Sequence, residues 1–115
     1  MKLDRVTEVL NAKLYTDVSY GDIEINAACG ADLMSDALAF GANKGLLLTG
    51  LNNPQCIRTA EMMDIHCVVL VRGKEPDASL VELANEKEIV VMKTDYSMYT
   101  SCGRLYEAGL SGGDV

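Results

Sequence analysis

Thiols are the most reactive side chains of this chain, and Cys29, Cys56, Cys67 and Cys102 would need each other or an imidazole to bind metal or attack a substrate. They lie far apart in sequence, no C-x-x-C pair occurs and His66 is the lone histidine, so neither a zinc site nor a thioredoxin-type motif is written here. Cys67 adjoins His66, but neighbouring residues of a strand point to opposite faces, so the two do not meet as nucleophile and base. Three of the four cysteines sit in apolar segments, as reduced core residues do. The carboxylates, among them Asp4, Glu24, Asp36, Glu61 and Glu86, fall at helix starts and on exposed faces. No catalytic residue, metal site or cofactor is expected, and the chain reads as a non-enzyme.

A different chemistry is suggested by four short polar segments, Gly30-Ala31-Asp32, Thr49-Gly50-Leu51-Asn52-Asn53, Arg72-Gly73-Lys74 and Lys93-Thr94-Asp95. Each follows an apolar run and precedes a helical pattern, where free backbone N–H groups and the helix dipole favour anions. Gly30, Asp32, Thr49, Gly50, Asn52, Arg72, Gly73 and Thr94 are the candidate ligand-binding residues, and a phosphate-bearing metabolite is the ligand class they suit. Glycines and capping residues are equally what any strand-to-helix turn needs, so a purely structural reading of these loops stands beside the ligand reading. Neither the Gly-x-x-x-x-Gly-Lys-Ser/Thr phosphate loop nor Gly-x-Gly-x-x-Gly is present, and glycine-flanked Gly41-Ala42-Asn43-Lys44-Gly45 precedes a strand instead of opening a helix.

These loops must be held by an alternating fold. Val6, Val9 and Leu10 give a first short helix, followed by a polar connection through Thr16, Asp17, Ser19 and Gly21. Ile23, Ile25, Ala27 and Cys29 then alternate with Glu24 and Asn26, predicting a strand with one partly exposed face. Asp32 is placed to cap a second helix carrying Leu33, Met34, Ala37, Leu38 and Phe40. Leu46-Leu47-Leu48 and Cys67-Val68-Val69-Leu70-Val71 are continuous apolar runs, the pattern of strands covered on both faces, and Ile89 to Met92 is the last strand. Asn53-Pro54 and Pro76-Asp77 start the intervening helices, and the final helix opens near Thr94-Asp95. Strands beginning near residues 23, 46, 66 and 89, each followed by a helix, predict a three-layer α/β/α domain with a mostly parallel sheet of four to five strands. In such a sheet the strand-end loops emerge on one edge. Residues 1–110 form a single domain in this reading, with 111–115 a flexible tail.

The 115 residues suit one domain, and 49% hydrophobic content without tryptophan gives a mainly aliphatic core. A net charge of -7 with scattered cations argues against nucleic acid as a partner. No apolar run reaches the roughly 20 residues of a membrane span and the N-terminus lacks a secretion signal, so no membrane association and a cytoplasmic address are expected. Met34, Met62, Met63, Met92 and Met98 suit core and interface packing, and the last helix carries Tyr96, Tyr99 and Tyr106, so a homodimer is expected.

Cys29-Gly30-Ala31-Asp32-Leu33, the strand and turn Leu46-Leu47-Leu48-Thr49-Gly50-Leu51, and Val91-Met92-Lys93-Thr94-Asp95-Tyr96 together resemble the DRTGG domain, over about Val6 to Leu110. Related domains form the N-terminal half of HPr kinase/phosphorylase, occur in some phosphate acetyltransferases, and stand between CBS repeats of certain inorganic pyrophosphatases. There the domain is an accessory to the enzyme, and in the pyrophosphatases it takes part in a dimeric region that responds to adenine nucleotides. The resemblance therefore implies a regulatory or assembly module. The literal Asp-Arg-Thr-Gly-Gly string is replaced: Thr49-Gly50 fit its middle, Leu51 stands for the second glycine and Leu47-Leu48 for the first two residues. The reading that follows is a stand-alone, dimeric regulatory or ligand-sensing module for a nucleotide or other phosphorylated metabolite. Its alternative is an interaction module that docks a partner enzyme without a small-molecule ligand.

Overall fold

Apolar runs alternating with helical segments build a layered α/β domain in the computed structural model, which describes residues 1–41 and 45–113. In chain order the elements are α1 (Leu3–Leu10), β1 (Lys13–Leu14), β2 (Ala27–Gly30), α2 (Met34–Phe40), β3 (Gly45–Thr49), α3 (Gln55–Met62), β4 (Cys67–Leu70), α4 (Ala78–Glu86), β5 (Val90–Lys93) and α5 (Met98–Glu107). The sheet order is β1-β5-β4-β3-β2; β2 to β5 are parallel and β1 closes the far edge antiparallel to β5.

Because β2, β3, β4 and β5 are laid down side by side in one direction, right-handed crossovers put α2, α3 and α4 on the same face. Met34, Ile57, Ala60, Leu80 and Ala84 from those helices pack there against Leu47, Val68, Leu70 and Val91. The opposite face is closed by the two ends of the chain. Leu3, Val6 and Leu10 of α1 and Leu105 of α5 cover Leu46, Leu48, Cys67, Val69, Val90 and Met92. The strand residues thus divide between two cores with a period of two, which is why β3 and β4 read as unbroken apolar runs.

The predicted three-layer architecture and mostly parallel sheet are present, with differences at the boundaries. The alternating segment from Ile23 splits. Its first half bonds to the N-terminal residues, with Leu3 N–H donating to the Ile23 carbonyl (2.9 Å) and Ile25 N–H to that of Met1 (2.7 Å), and β2 starts only at Ala27. β1, two residues long, is too short to leave a periodic signal. Asp32 does not cap α2, whose N-cap is Leu33. α5 begins at Met98, later than expected, because the Ser97 hydroxyl accepts the Thr100 N–H at 3.2 Å. Tyr99 and Tyr106 of α5 are 89% and 64% exposed.

Within Gly41-Ala42-Asn43-Lys44-Gly45, residues 42–44 lie outside the described residues, as do the side chain of Phe40 and residues 114–115. The Ser111 carbonyl accepts the N–H of Ala28 at 3.1 Å, so the chain runs past the outer edge of β2 after α5. Among the described residues, no helix is long and apolar enough to cross a membrane.

Candidate ligand site at the strand-end loops

Parallel register sets the C-terminal ends of four strands in line: Gly30 lies opposite Leu48, Thr49 opposite Leu70, and Leu70 opposite Lys93. The loops leaving these ends are stitched to one another by polar contacts, each loop to the next.

The first stitch carries the charge chemistry. Asp32, two residues beyond β2, offers Oδ1 to the N–H of Gly50 at 2.7 Å. Its Oδ2 lies 3.4 Å from Nη2 of Arg72, which reaches back from the end of β4. Gly50 is glycine for reasons of space: a Cβ there would come within 1.9 Å of Arg72 Nη2 and 3.2 Å of Asp32 Oδ1. Arg72 itself has φ 66°, a left-handed conformation that L residues adopt at a cost of roughly 1–2 kcal/mol. Asn11, Asp64 and Glu88 also have positive φ, but each directly follows or lies just past the end of a helix, where such a residue is ordinary; Arg72 follows a strand. A strained cation at a strand end is where function is sought.

The second stitch is Asn52. Its Nδ2 donates to the Glu75 carbonyl at 2.7 Å and its Oδ1 accepts the Asp77 N–H at 3.0 Å, so both ends of the amide hold the β4–α4 loop. The third joins β4 to β5: Arg72 N–H donates to the Tyr96 carbonyl and Gly73 N–H to that of Thr94, at 2.8 and 2.9 Å.

The eight sequence candidates therefore divide by position. Asp32, Gly50 and Arg72 meet in one polar cluster, with Asn52 two residues beyond Gly50 on the same loop. Gly73 lies beside Asp95, whose Oδ1 would be 3.0 Å from a Cβ placed there. Thr49 is buried, its hydroxyl accepting the Leu51 N–H at 3.1 Å. Thr94 is also buried and faces the other side of the sheet, donating at 2.7 Å to the Leu10 carbonyl at the end of α1. Gly30 lies under α5, where an added Cβ would sit 3.0 Å from Met98 Sδ and 3.1 Å from Cys102 Sγ.

One polar group escaped sequence reasoning. The Tyr15 hydroxyl donates to Glu75 Oε2, Glu75 Oε1 lies 3.5 Å from Lys93 Nζ, and Asp95 Oδ1 lies 3.4 Å from the same ammonium. The Tyr15 bond, with the charges of Lys93 and Lys13, holds the Glu75 carboxyl below its ordinary range. Partial burial works against the charge of Lys93, and Asp95 and Glu75 outweigh it, keeping the ammonium above its usual value. Sixty residues separate Tyr15 from Glu75, so no local pattern links them.

Three of the four thiols are poor nucleophiles. Burial pushes Cys56 up to about 11, raises Cys67 further and raises Cys102 as well, which leaves all three protonated near neutral pH. His66 is exposed and lies just before β4, whose first residue, Cys67, is buried. No group of three or more His, Cys, Asp or Glu able to hold a metal ion occurs among the described residues.

Two cavities flank the edge strand β2. One of about 190 Å³, lined by Gly30, Leu48, Cys102, Leu105, Tyr106 and Leu110 among others, is largely apolar. The other, about 310 Å³, opens beside Asp32 and Asp36 at the start of α2.

A layered α/β domain whose parallel strands end in polar, interlinked loops is the class this fold defines. The chain belongs to the DRTGG domain family, whose model matches residues 5–108. Among solved structures it is similar to the CBS and DRTGG domains of the regulatory region of Clostridium perfringens pyrophosphatase, complexed with the activator diadenosine tetraphosphate, at TM-score 0.71 and 14% identity. That likeness covers 98% of this chain and 51% of the other, so this chain spans about half the length of that one. No curated protein matches significantly.

Proposed function

We propose that this DRTGG domain is a non-catalytic regulatory module that senses a phosphorylated metabolite, of the nucleotide class, at the loops centred on Arg72 and Gly50. The observation that carries the reading is the seat of Asp32. A carboxylate already occupies a backbone N–H and a guanidinium at the strand ends, so these donors are arranged to receive an anion. The strained backbone of Arg72 supports it, and so does the kinship with a regulatory region that takes a dinucleoside polyphosphate activator. Absence of a low-pKa thiol among Cys56, Cys67 and Cys102 is consistent with a role other than catalysis. We place the module in the cytoplasm, as a single domain over residues 1–110 working as a homodimer.

Thermal-shift measurement against nucleotides and acyl phosphates tests it. A ligand at 100 times its Kd raises stability by about 2.7 kcal/mol. The expected result is stabilisation by at least one of these compounds that Arg72→Asn removes. No stabilisation at millimolar concentration, or one that survives Arg72→Asn, contradicts the assignment.

A second reading is favoured by Tyr99 and Tyr106 of α5, large side chains more than half exposed, which suit docking of a partner enzyme. Pull-down from cell extract with Tyr99→Glu beside the unaltered protein separates the two. Loss of a partner supports docking through this surface, and equal recovery of every partner argues against it.

A further inference from the structure

We propose that Asp32 is a built-in competitor for the ligand of the Arg72 and Gly50 site, so that the site answers to phosphoryl groups and turns away simple carboxylates. The proposal rests on the anion-site reading given above and concerns how that site is regulated.

Three observations point to it. Both carboxylate oxygens of Asp32 are committed to the donors an incoming anion would use, Oδ1 to the Gly50 N–H at 2.7 Å and Oδ2 to Arg72 Nη2 at 3.4 Å. Local structure does not account for this placement, because Asp32 lies where a helix cap is expected and leaves that duty unfilled, with Leu33 as the N-cap of α2 and no side-chain bond to it. The side chains of Asp32 and Arg72 are 54% and 48% exposed, and the 310 Å³ cavity at the start of α2 opens next to the carboxylate, so the pair is weak and Asp32 has room to leave.

A competing carboxylate would replace like with like and gain nothing. A phosphoryl group brings a charge of about -1.5 to -2 and three acceptor oxygens, enough to take both donors. Asp32 is then repelled by the bound anion and swings toward the cavity with the β2–α2 loop. Leu33 and Leu38, both exposed at α2, move with it and carry the state of the site to the surface.

Titration calorimetry of the 115-residue protein with sodium pyrophosphate, beside Asp32→Asn and Asp32→Ser, tests the competition. Both variants are expected to bind pyrophosphate about five- to tenfold more tightly than the unaltered chain, from removal of one charged hydrogen bond and one exposed ion pair. Acetate is expected to bind detectably only to Asp32→Ser, where a hydroxyl is all that opposes it. In unaltered protein the Gly50 amide resonance should move with pyrophosphate and stay fixed with acetate, a measurement independent of how the variants fold. Pyrophosphate binding to the unaltered protein that Asp32→Asn and Asp32→Ser leave equal or weaken would make Asp32 part of the cradle; that overturns competition and spares the anion site. If pyrophosphate binds to none of the three and leaves the Gly50 amide unmoved, both readings fall.

Discussion

Gly50 and Arg72 share one volume: the guanidinium lies where a side chain on residue 50 would begin, with Nη2 1.9 Å from the ideal Cβ position. Gly50→Ala should therefore expel the arginine arm from Asp32 while leaving the fold intact, since the displaced atom is the far end of a flexible chain. The stability change should stay within about 1 kcal/mol, the worth of an exposed ion pair. Denaturant unfolding measures it, and a loss of several kcal/mol would show that Gly50 serves the backbone instead of the arm.

Thr94 holds the opposite side of the same strand end. Its buried hydroxyl donates to the Leu10 carbonyl, tying β5 to the end of α1. Thr94→Val keeps the shape and strands that carbonyl, so a loss of about 1–3 kcal/mol is expected in equilibrium unfolding. Ligand-induced stabilisation should persist in the variant, because the hydroxyl faces away from Asp32 and Arg72.

Glu75 gives the fold a dependence on acid. Its carboxyl is held below the ordinary 4.5, first by the Tyr15 hydrogen bond and then by Lys93 and Lys13. A folded-state value below the unfolded one means the contribution is complete above 4.5 and is lost as pH falls through the lower, folded value. Melting temperatures of the unaltered protein and Glu75→Gln should differ near neutral pH and converge as the pH drops below that range. A gap that persists in acid would assign the effect to packing.

Thiol labelling should follow burial. Cys56 and Cys67, both fully buried and shifted upward, should react with iodoacetamide only as fast as the protein opens. Mass spectrometry of briefly labelled native protein checks this, and rapid modification of Cys67 would revive an enzymatic reading.

Legibility in the sequence tracked the range of each interaction. The runs Leu46-Leu47-Leu48 and Cys67 to Val71 were readable as central strands because burial on both faces forces unbroken apolar residues, and the parallel sheet follows from the helices between them. Gathering Gly30, Thr49, Arg72 and Thr94 on one edge was implied by that topology alone. Which way each side chain turns was not. Asp32 reads as a helix cap until Gly50 and Arg72, 18 and 40 residues away, claim its oxygens. Thr94 reads as a loop hydroxyl until α1 arrives on the far face, and Tyr99 and Tyr106 have the spacing of a buried stripe while α1 and the sheet leave them uncovered. Such choices belong to packing between elements, which no local periodicity records.

Amide spectra of labelled protein during addition of ATP read out directly whether the loops around Arg72 receive a phosphorylated ligand. The expected result is that the largest movements fall on Asp32, Gly50 and Arg72 and vanish in Arg72→Asn, a substitution that tolerates the left-handed backbone. Movements confined to the exposed face of α5, or none at millimolar ATP, would contradict it.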